Sequence, residues 1–327
     1  MSCTRRHWLL DSVAWTLGGV GGGAIAQGDA GSTVRLVVGA GPGSFPDQVA
    51  RRVGEGLATL WKRAVIIDNR PGAGGIAAVT RLMEAPADGS TLALGTMSQL
   101  VFNPFLFRQL PYDVDRDLAP IGAVLDGSMM IVAHPSFPAG TLSALIEHAH
   151  ARPDRSIDFA VPAAASPPHV VLAALMKATS TAFNVVPYRT GSDALVQVAG
   201  GQVPLFIDAV SVVGPLVEAG RLKALGVTGL ERARRFPTVS TVAEQGVANF
   251  DGSAWMGLIA RKGTPPAILA RCNESLGALL RSPALRDFLD ANGCRPSAGT
   301  PEQFAARWRA DAMRWGPVIR SLGITLE

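Results

Sequence analysis

Two glycine-rich turns about thirty residues apart constrain this chain most: Gly39-Ala-Gly-Pro-Gly-Ser-Phe-Pro-Asp47 and Asn69-Arg-Pro-Gly-Ala-Gly-Gly75. Each follows a short β-branched run and precedes a helical pattern, so the chain opens on strand–turn–helix units of a layered α/β fold. With Val34-Arg-Leu-Val-Val38 before it and Ala64-Val-Ile-Ile-Asp68 after it, the first turn imitates a dinucleotide fingerprint. The imitation breaks in three places. Ser44 replaces the third glycine, and bulky Phe45 and Pro46 follow where helix and strand need close approach. Asp68, the acid that would read a ribose, comes later than the roughly 20 residues expected. Pro46 suits a helix start, and Asp47 can cap or favour the positive end of a helix expected over 48–60. Such a turn is better built to aim free N–H groups at a small anion than to cradle a pyrophosphate.

At 327 residues the chain is long enough for two domains. Charged residues make up 17% and aromatic ones 6%, a packed globular composition. The formal charge is +4, but the basic residues are scattered. Their densest cluster, Glu231-Arg-Ala-Arg-Arg235, carries its own acid and reads as a solvated loop, so no nucleic-acid partner is expected. Arg5-Arg6, an apolar stretch over 8–17 interrupted by Asp11, and Ala24-Ile-Ala26 before Gln27 predict an export signal over 1–26. Thr4-Arg-Arg-His-Trp-Leu9 partly matches a twin-arginine signal, and the general secretory route stays open. Later segments lack the roughly 18 consecutive apolar residues of a spanning helix, so a soluble periplasmic chain is expected. An oxidising compartment permits a Cys272–Cys294 bridge without requiring one. The five histidines form no metal-binding pattern with the cysteines, and neither metal nor cofactor is expected.

Apolar runs at 34–38, 64–67, 91–94, 129–133, 157–160, 182–186, 204–207, 222–227 and 255–260 predict strands, with helices between them and largely parallel sheets. After Gly263-Thr-Pro265 the pattern becomes purely helical, over 266–280, 283–292 and 301–322. Phe304, Trp308, Ala312, Trp315 and Ile319 recur at three- and four-residue spacing, a core-facing stripe that suits a return to the first domain.

Taken in order, Asn69-Arg-Pro-Gly-Ala-Gly-Gly75, Ala87-Asp-Gly-Ser-Thr-Leu-Ala-Leu-Gly-Thr96, Asn103-Pro104, Leu110-Pro-Tyr-Asp113, Ser166-Pro-Pro-His169, Val186-Pro-Tyr-Arg189, Ala219-Gly-Arg-Leu-Lys-Ala-Leu225 and Trp255-Met-Gly-Leu258 carry a resemblance. The chain resembles the extracytoplasmic solute-binding receptors of tripartite tricarboxylate transporters, the Bug family, over nearly its whole mature length. The resemblance implies an α/β, type II periplasmic-binding-protein fold whose two lobes clamp a ligand in a hinged cleft. It implies a discontinuous first lobe, 27–123 with 254–327, and a second lobe, 124–253, with crossings near 119–125 and 251–256. It also implies a monomer that hands a small organic acid or amino-acid-like carboxylate to membrane permease subunits or a sensor protein, without catalysis.

By position, three loops should form the mouth. The first turn offers Ala40, Gly41, Gly43, Ser44, Phe45 and Asp47; Asp47 matches the family's aspartate, while several neighbours depart from its usual residues. The turn after 91–94 supplies Thr96 and Ser98, hydroxyls that can donate to a carboxylate or cap a helix. In the second lobe Ala165 and Ser166 can present two N–H groups and a hydroxyl, with His169 fixing their loop. Asp208, at a strand's carboxyl end, can accept a ligand ammonium or hydroxyl or cap a helix. The 69–75 turn is expected to be chiefly structural. Two other readings remain: an exported flavin- or nicotinamide-linked oxidoreductase using the Gly39 to Gly43 turn, and a hydrolase using Ser98 or Ser166 with His169.

Overall fold

Strand β1 (Val34–Val38) sets the layering, because its alternate side chains enter different cores: Val34, Leu36 and Val38 join one apolar cluster and Val37 the other. The computed structural model describes residues 33–152, 154 and 156–327, and the export signal expected over 1–26 lies outside them. From β1 the chain runs through α1 (Phe45–Trp61), β2 (Val65–Asn69), α2 (Ile76–Glu84) and β3 (Thr91–Thr96). A π-helical segment (Ser98–Phe102) leads into α3 (Asn103–Leu106), α4 (Val114–Asp117) and β4 (Leu118–Gly127). Past Ser128 come β5 (Met129–Ala133), α5 (Leu142–His150), β6 (Asp158–Val161), α6 (Pro167–Thr179), β7 (Asn184–Pro187), α7 (Gly191–Ala199), β8 (Leu205–Ala209), α8 (Val210–Glu218) and β9 (Lys223–Val227). The chain returns as β10 (Ala254–Arg261), α9 (Pro266–Leu280), α10 (Pro283–Ala291), β11 (Cys294–Pro296) and α11 (Pro301–Ser321).

Two sheets result, in the orders β11-β4-β10-β3-β1-β2 and β7-β6-β8-β5-β9. Each is covered by helices on both faces, giving two α/β lobes. The expectation of largely parallel sheets is corrected. β10 runs antiparallel to β3 and β4, and β5 antiparallel to β8 and β9. Both reversals occur where the chain passes from one lobe to the other and enters the sheet from the opposite end.

Two strands escaped the sequence pattern. β4 overlaps the stretch expected to be an interlobe crossing, yet it stays in the first sheet to Gly127. Its Pro120 donates no N–H, and it lies beside Ile259 at an irregularity in the β4–β10 register, where a ladder bond is dispensable. β11, three residues within the stretch expected to be purely helical, pairs with the end of β4. The stripe on α11 is as expected: Phe304, Trp308, Trp315 and Ile319 are buried. Trp255 meets Phe304 edge-on at 5.2 Å, and Phe102 meets Trp315 edge-on at 6.2 Å, so α11 seals the first lobe.

The arginine cluster after β9 is not a freely solvated loop. Arg232 pairs with Glu244, Arg235 with Glu218, and Arg234 with Asp290 of α10 beside the first sheet. Cys272 and Cys294 are both buried and free, and burial pushes their thiols up to about 11 and about 12.

Thr228 knots the two interlobe passages together. Its buried hydroxyl accepts from Met129 N–H at 3.0 Å and donates to Gly252 O at 3.2 Å. Its own N–H and carbonyl pair with Met129 O at 2.9 Å and Gly252 N–H at 2.7 Å. Thr228→Val keeps the shape but orphans Met129 N–H and Gly252 O from the hydroxyl, so chemical denaturation should show a loss of about 2 kcal/mol. An unchanged midpoint would mean that the passages hold without this hydroxyl.

Candidate functional site

The first glycine turn is held by an inward-facing carboxylate. Ser44 caps α1, its hydroxyl accepting from Asp47 N–H at 3.4 Å, and Phe45 and Pro46 form the first turn. The helix therefore begins three residues before the expected start, and Ser44 rather than Asp47 is the cap. Asp47 is only 2% exposed. It accepts from Gly43 N–H at 2.8 Å, from Arg51 Nε at 2.9 Å and from Asn69 Nδ2 at 2.9 Å. The Arg51 hydrogen bond outweighs the cost of burial and, with the other donors, lowers the Asp47 carboxyl to about 2. Asn69 Nδ2 also donates to Ala40 O at 3.0 Å, so one carboxylate and one amide bolt the first turn to the start of the second.

The second turn is fixed from the other side. Gly74 and Gly75 carry φ of 61° and 85°, a left-handed pair that favours glycine. Gln99 Nε2 donates to Gly75 O at 3.0 Å while its Oε1 accepts from Thr96 N–H at 2.8 Å and Thr96 Oγ1 at 3.2 Å. Asn103 Nδ2 donates to Gly74 O at 3.2 Å and to Tyr112 Oη at 3.2 Å. A Cβ at Gly75 would strike the Gln99 amide. The π segment over Ser98–Phe102 starts beside this contact, the kind of helix irregularity often found at functional sites.

A cavity of about 390 Å³ opens against both turns, within the ~300–1,000 Å³ range of small-molecule sites. Gly39, Ala40, Gly72, Gly74, Gly75, Thr96, Ser98 and Gln99 line its first-lobe side, with Pro167 of α6 and Ala254 to Met256 of β10 opposite or below. Glycine brings only main chain to a wall, so this wall is largely backbone. Among the described residues Ser98 Oγ has no protein hydrogen-bond partner, whereas the Thr96 hydroxyl is committed to Gln99. A second cavity of about 200 Å³ shares Pro167 and Ala254 to Met256 and continues toward Phe45, Met129, Pro168, Asp208 and Ser211. The two are halves of one cleft between the lobes. Trp255 forms part of both, its indole Nε1 donating to Asp311 Oδ2 at 2.7 Å.

Ala40, Phe45, Thr96, Ser98 and Asp208 of the sequence-derived set therefore line the cleft. Gly41, Gly43, Ser44 and Asp47 do not; they are the internal bracing of the first turn. Ala165 and Ser166 do not offer free N–H groups. Ala165 N–H donates to His169 Nδ1 at 3.2 Å, and Ser166 N–H to Ala163 O at 3.1 Å. His169 thus fixes its loop, and Ser166 Oγ is buried with no partner among the described residues. Two prolines follow Ser166, so α6 has no N–H at its first two positions. Asp208 Oδ1 accepts from Ala209 N–H at 2.7 Å, and burial raises its carboxyl to about 6.

Sequence reasoning missed Gln99, Pro167, Trp255 and Met256, and it assigned the second turn a structural role although Gly72, Gly74 and Gly75 line the larger cavity. Gln99, a polar residue ahead of Leu100-Val-Phe102, was the one available signal. Asp68, the acid of the dinucleotide reading, is paired with Arg35 at 3.1 Å and Arg70 at 2.8 Å.

Over residues 49–324 the chain matches the TctC family, described as Tripartite tricarboxylate transporter family receptor. It is 32% identical to Protein BugT of Bordetella pertussis over 90% of each chain. The solved structure of R. palustris Rpa4515 with adipate superposes with a TM-score of 0.79 at 30% identity, covering 90% of this chain and 98% of that one. The periplasmic binding protein BugD superposes with a TM-score of 0.74 at 26% identity, covering 90% and 99%. The fold is the expected two-lobed periplasmic-binding-protein fold.

Two pH profiles test these carboxylates. The lowered Asp47 pKa means a stabilisation present above about pH 4 and lost as pH falls toward 2. Asp47→Asn should cost about 2 kcal/mol at pH 7, with the gap to the parent closing on acidification. The raised Asp208 pKa has the opposite sign: its favourable contribution holds in acid and is lost as pH rises through about 6. Asp208→Asn should match the parent at pH 4 and be more stable by about 3 kcal/mol at pH 8. Parallel profiles for parent and variant would refute either assignment.

Proposed function

Because the chain belongs to the tripartite tricarboxylate transporter receptor family and is a solute-binding receptor of that kind, we propose that it captures one small carboxylated solute in the cleft between its lobes. The observation that carries this reading is the 390 Å³ cavity walled by glycine backbone and a Ser98 hydroxyl that has no partner among the described residues. Main-chain N–H groups and a hydroxyl hold a carboxylate without the cost of a buried cation. The adipate in Rpa4515 supports a carboxylate of this size.

In this reading the chain acts outside the cytoplasm after removal of residues 1–26, in keeping with the periplasmic BugD. The lobes follow the expected division, 27–123 with 254–327 and 124–253, except that 124–127 stay with β4 in the first sheet, so the first passage lies at Ser128. They close by a hinge across Ser128 and the 228–253 segment. The captured solute goes to membrane permease subunits or reports to a sensor protein. We read the site as a binder without chemistry: His169 Nδ1 is engaged by Ala165 N–H, and no Ser166–His169 hydrogen bond forms among the described residues. The oxidoreductase reading loses its ribose acid to the Arg35 and Arg70 pairs.

Calorimetric titration of the purified chain with mono-, di- and tricarboxylates should give saturable heat for at least one class, and a raised melting temperature with the same solute. Ser98→Ala should weaken that binding about tenfold while leaving the ligand-free melting temperature unchanged, since its hydroxyl has no partner among the described residues. No heat and no thermal shift from any carboxylate would sink the proposal.

A further inference from the structure

The two halves of the cleft offer a solute different chemistry. The larger half, against the glycine turns, brings main chain and the Ser98 hydroxyl. The smaller half shows chiefly apolar surface, from Phe45, Leu125, Met129, Pro168, Trp255 and Met256. Four polar residues also border it, Ser128, Asp208, Ser211 and Asn292, and two of them are engaged elsewhere. Asn292 Nδ2 donates to Phe288 O at 2.8 Å. Asp208 Oδ1 accepts from Ala209 N–H at 2.7 Å, and its Oδ2 lies against Gly191, outside both cavities. On the second-lobe side Pro167 and Pro168 open α6 without N–H groups, so this helix start brings carbon to the cleft.

The aromatic walls are immobilised from behind. Phe45 stacks on Phe288 with ring centroids 6.2 Å apart and planes 22° apart, and the Arg52 guanidinium lies 5.5 Å from the Phe288 centroid. Trp255 is fixed by its 2.7 Å hydrogen bond to Asp311 and by edge-on Phe304 at 5.2 Å. The one polar atom of the indole is therefore taken. Phe45 and Met256 are only partly buried, which leaves apolar surface for a solute to cover. A methylene or ring C–H that leaves water against these walls is stabilised, whereas a hydroxyl loses its water hydrogen bonds with little in exchange.

Resting on the receptor reading above, we propose that this chain selects carboxylates with an apolar body, an aromatic ring or an unsubstituted alkyl chain, over polyhydroxylated acids of the same size and charge. A carboxylate meets the glycine wall, and the body fills the smaller half against Phe45, Trp255 and Met256. Phe45 and Met256 are the specificity-determining side chains. Selection acts on the body of the solute and is indifferent to whether it carries one carboxylate or two.

The test is calorimetry at neutral pH with acids paired by carbon number and charge: hexanoate with gluconate, adipate with glucarate, and benzoate with shikimate. In every pair that gives saturable heat, the apolar member should bind at least roughly tenfold more tightly than its hydroxylated match. Its binding should also carry the more negative heat-capacity change, the mark of apolar burial. Met256→Gln and Phe45→Gln, which place an amide in the wall, should each narrow that gap about threefold or more, while Met256→Leu keeps it. A hydroxylated acid that binds the parent chain as tightly as its apolar match overturns the inference and leaves the receptor reading standing. So does an unchanged gap in both glutamine variants, with melting curves confirming that they fold. Failure of every carboxylate to bind removes both.

Discussion

The first-lobe wall of the cleft depends on a carboxylate that lines neither cavity. Asp47 faces inward and collects the Gly43 N–H, the Arg51 guanidinium and the Asn69 amide. Asn69 carries the same restraint to Ala40 O. Two loops that are far apart along the chain, each too rich in glycine to hold a shape alone, become one surface. Gln99 and Asn103 complete the fixture by gripping the carbonyls of Gly75 and Gly74. With its carbonyls engaged from behind and its backbone braced, the turn can present main chain toward the cleft at little further entropic cost.

That arrangement explains which parts of the molecule were legible in the sequence. β-Branched runs bounded by glycine or proline gave nearly every strand, because period and punctuation are local properties. The α11 stripe was visible for the same reason, with its aromatic residues at helical spacing. β4 was not, because an apolar run containing Pro120 resembles a linker until β10 is laid beside it. β11 is three residues long and exists only as a pairing with β4.

Site residues divide along the same line. Phe45, Ser98 and Asp208 follow directly from standing at the ends of strands or the starts of helices, where α/β folds place their ligands. Asp47 occupies such a position too, yet it turns inward because Asn69 and Arg51 outcompete solvent for its oxygens. Pattern identifies the position; partners contributed from elsewhere in the chain decide the direction. The second turn was undervalued for a related reason. It follows β2, an edge strand, and amides contributed by later residues, Gln99 and Asn103, draw it over the cavity.

The place of β10 in the first sheet carries a consequence for the order of assembly. β10 lies between β3 and β4, so those two strands have no neighbour on their facing sides until residue 261 is available. The entire second sheet is encoded between β4 and β10, from Met129 to Val227. As the chain emerges from its N-terminus, the second lobe can close as a contiguous piece while the first waits with two open edges. Pairing of that kind is slow because loop closure over the whole inserted lobe precedes it. The exposed edges of β3 and β4 are then the most vulnerable surfaces of the immature chain, where association between copies competes with folding.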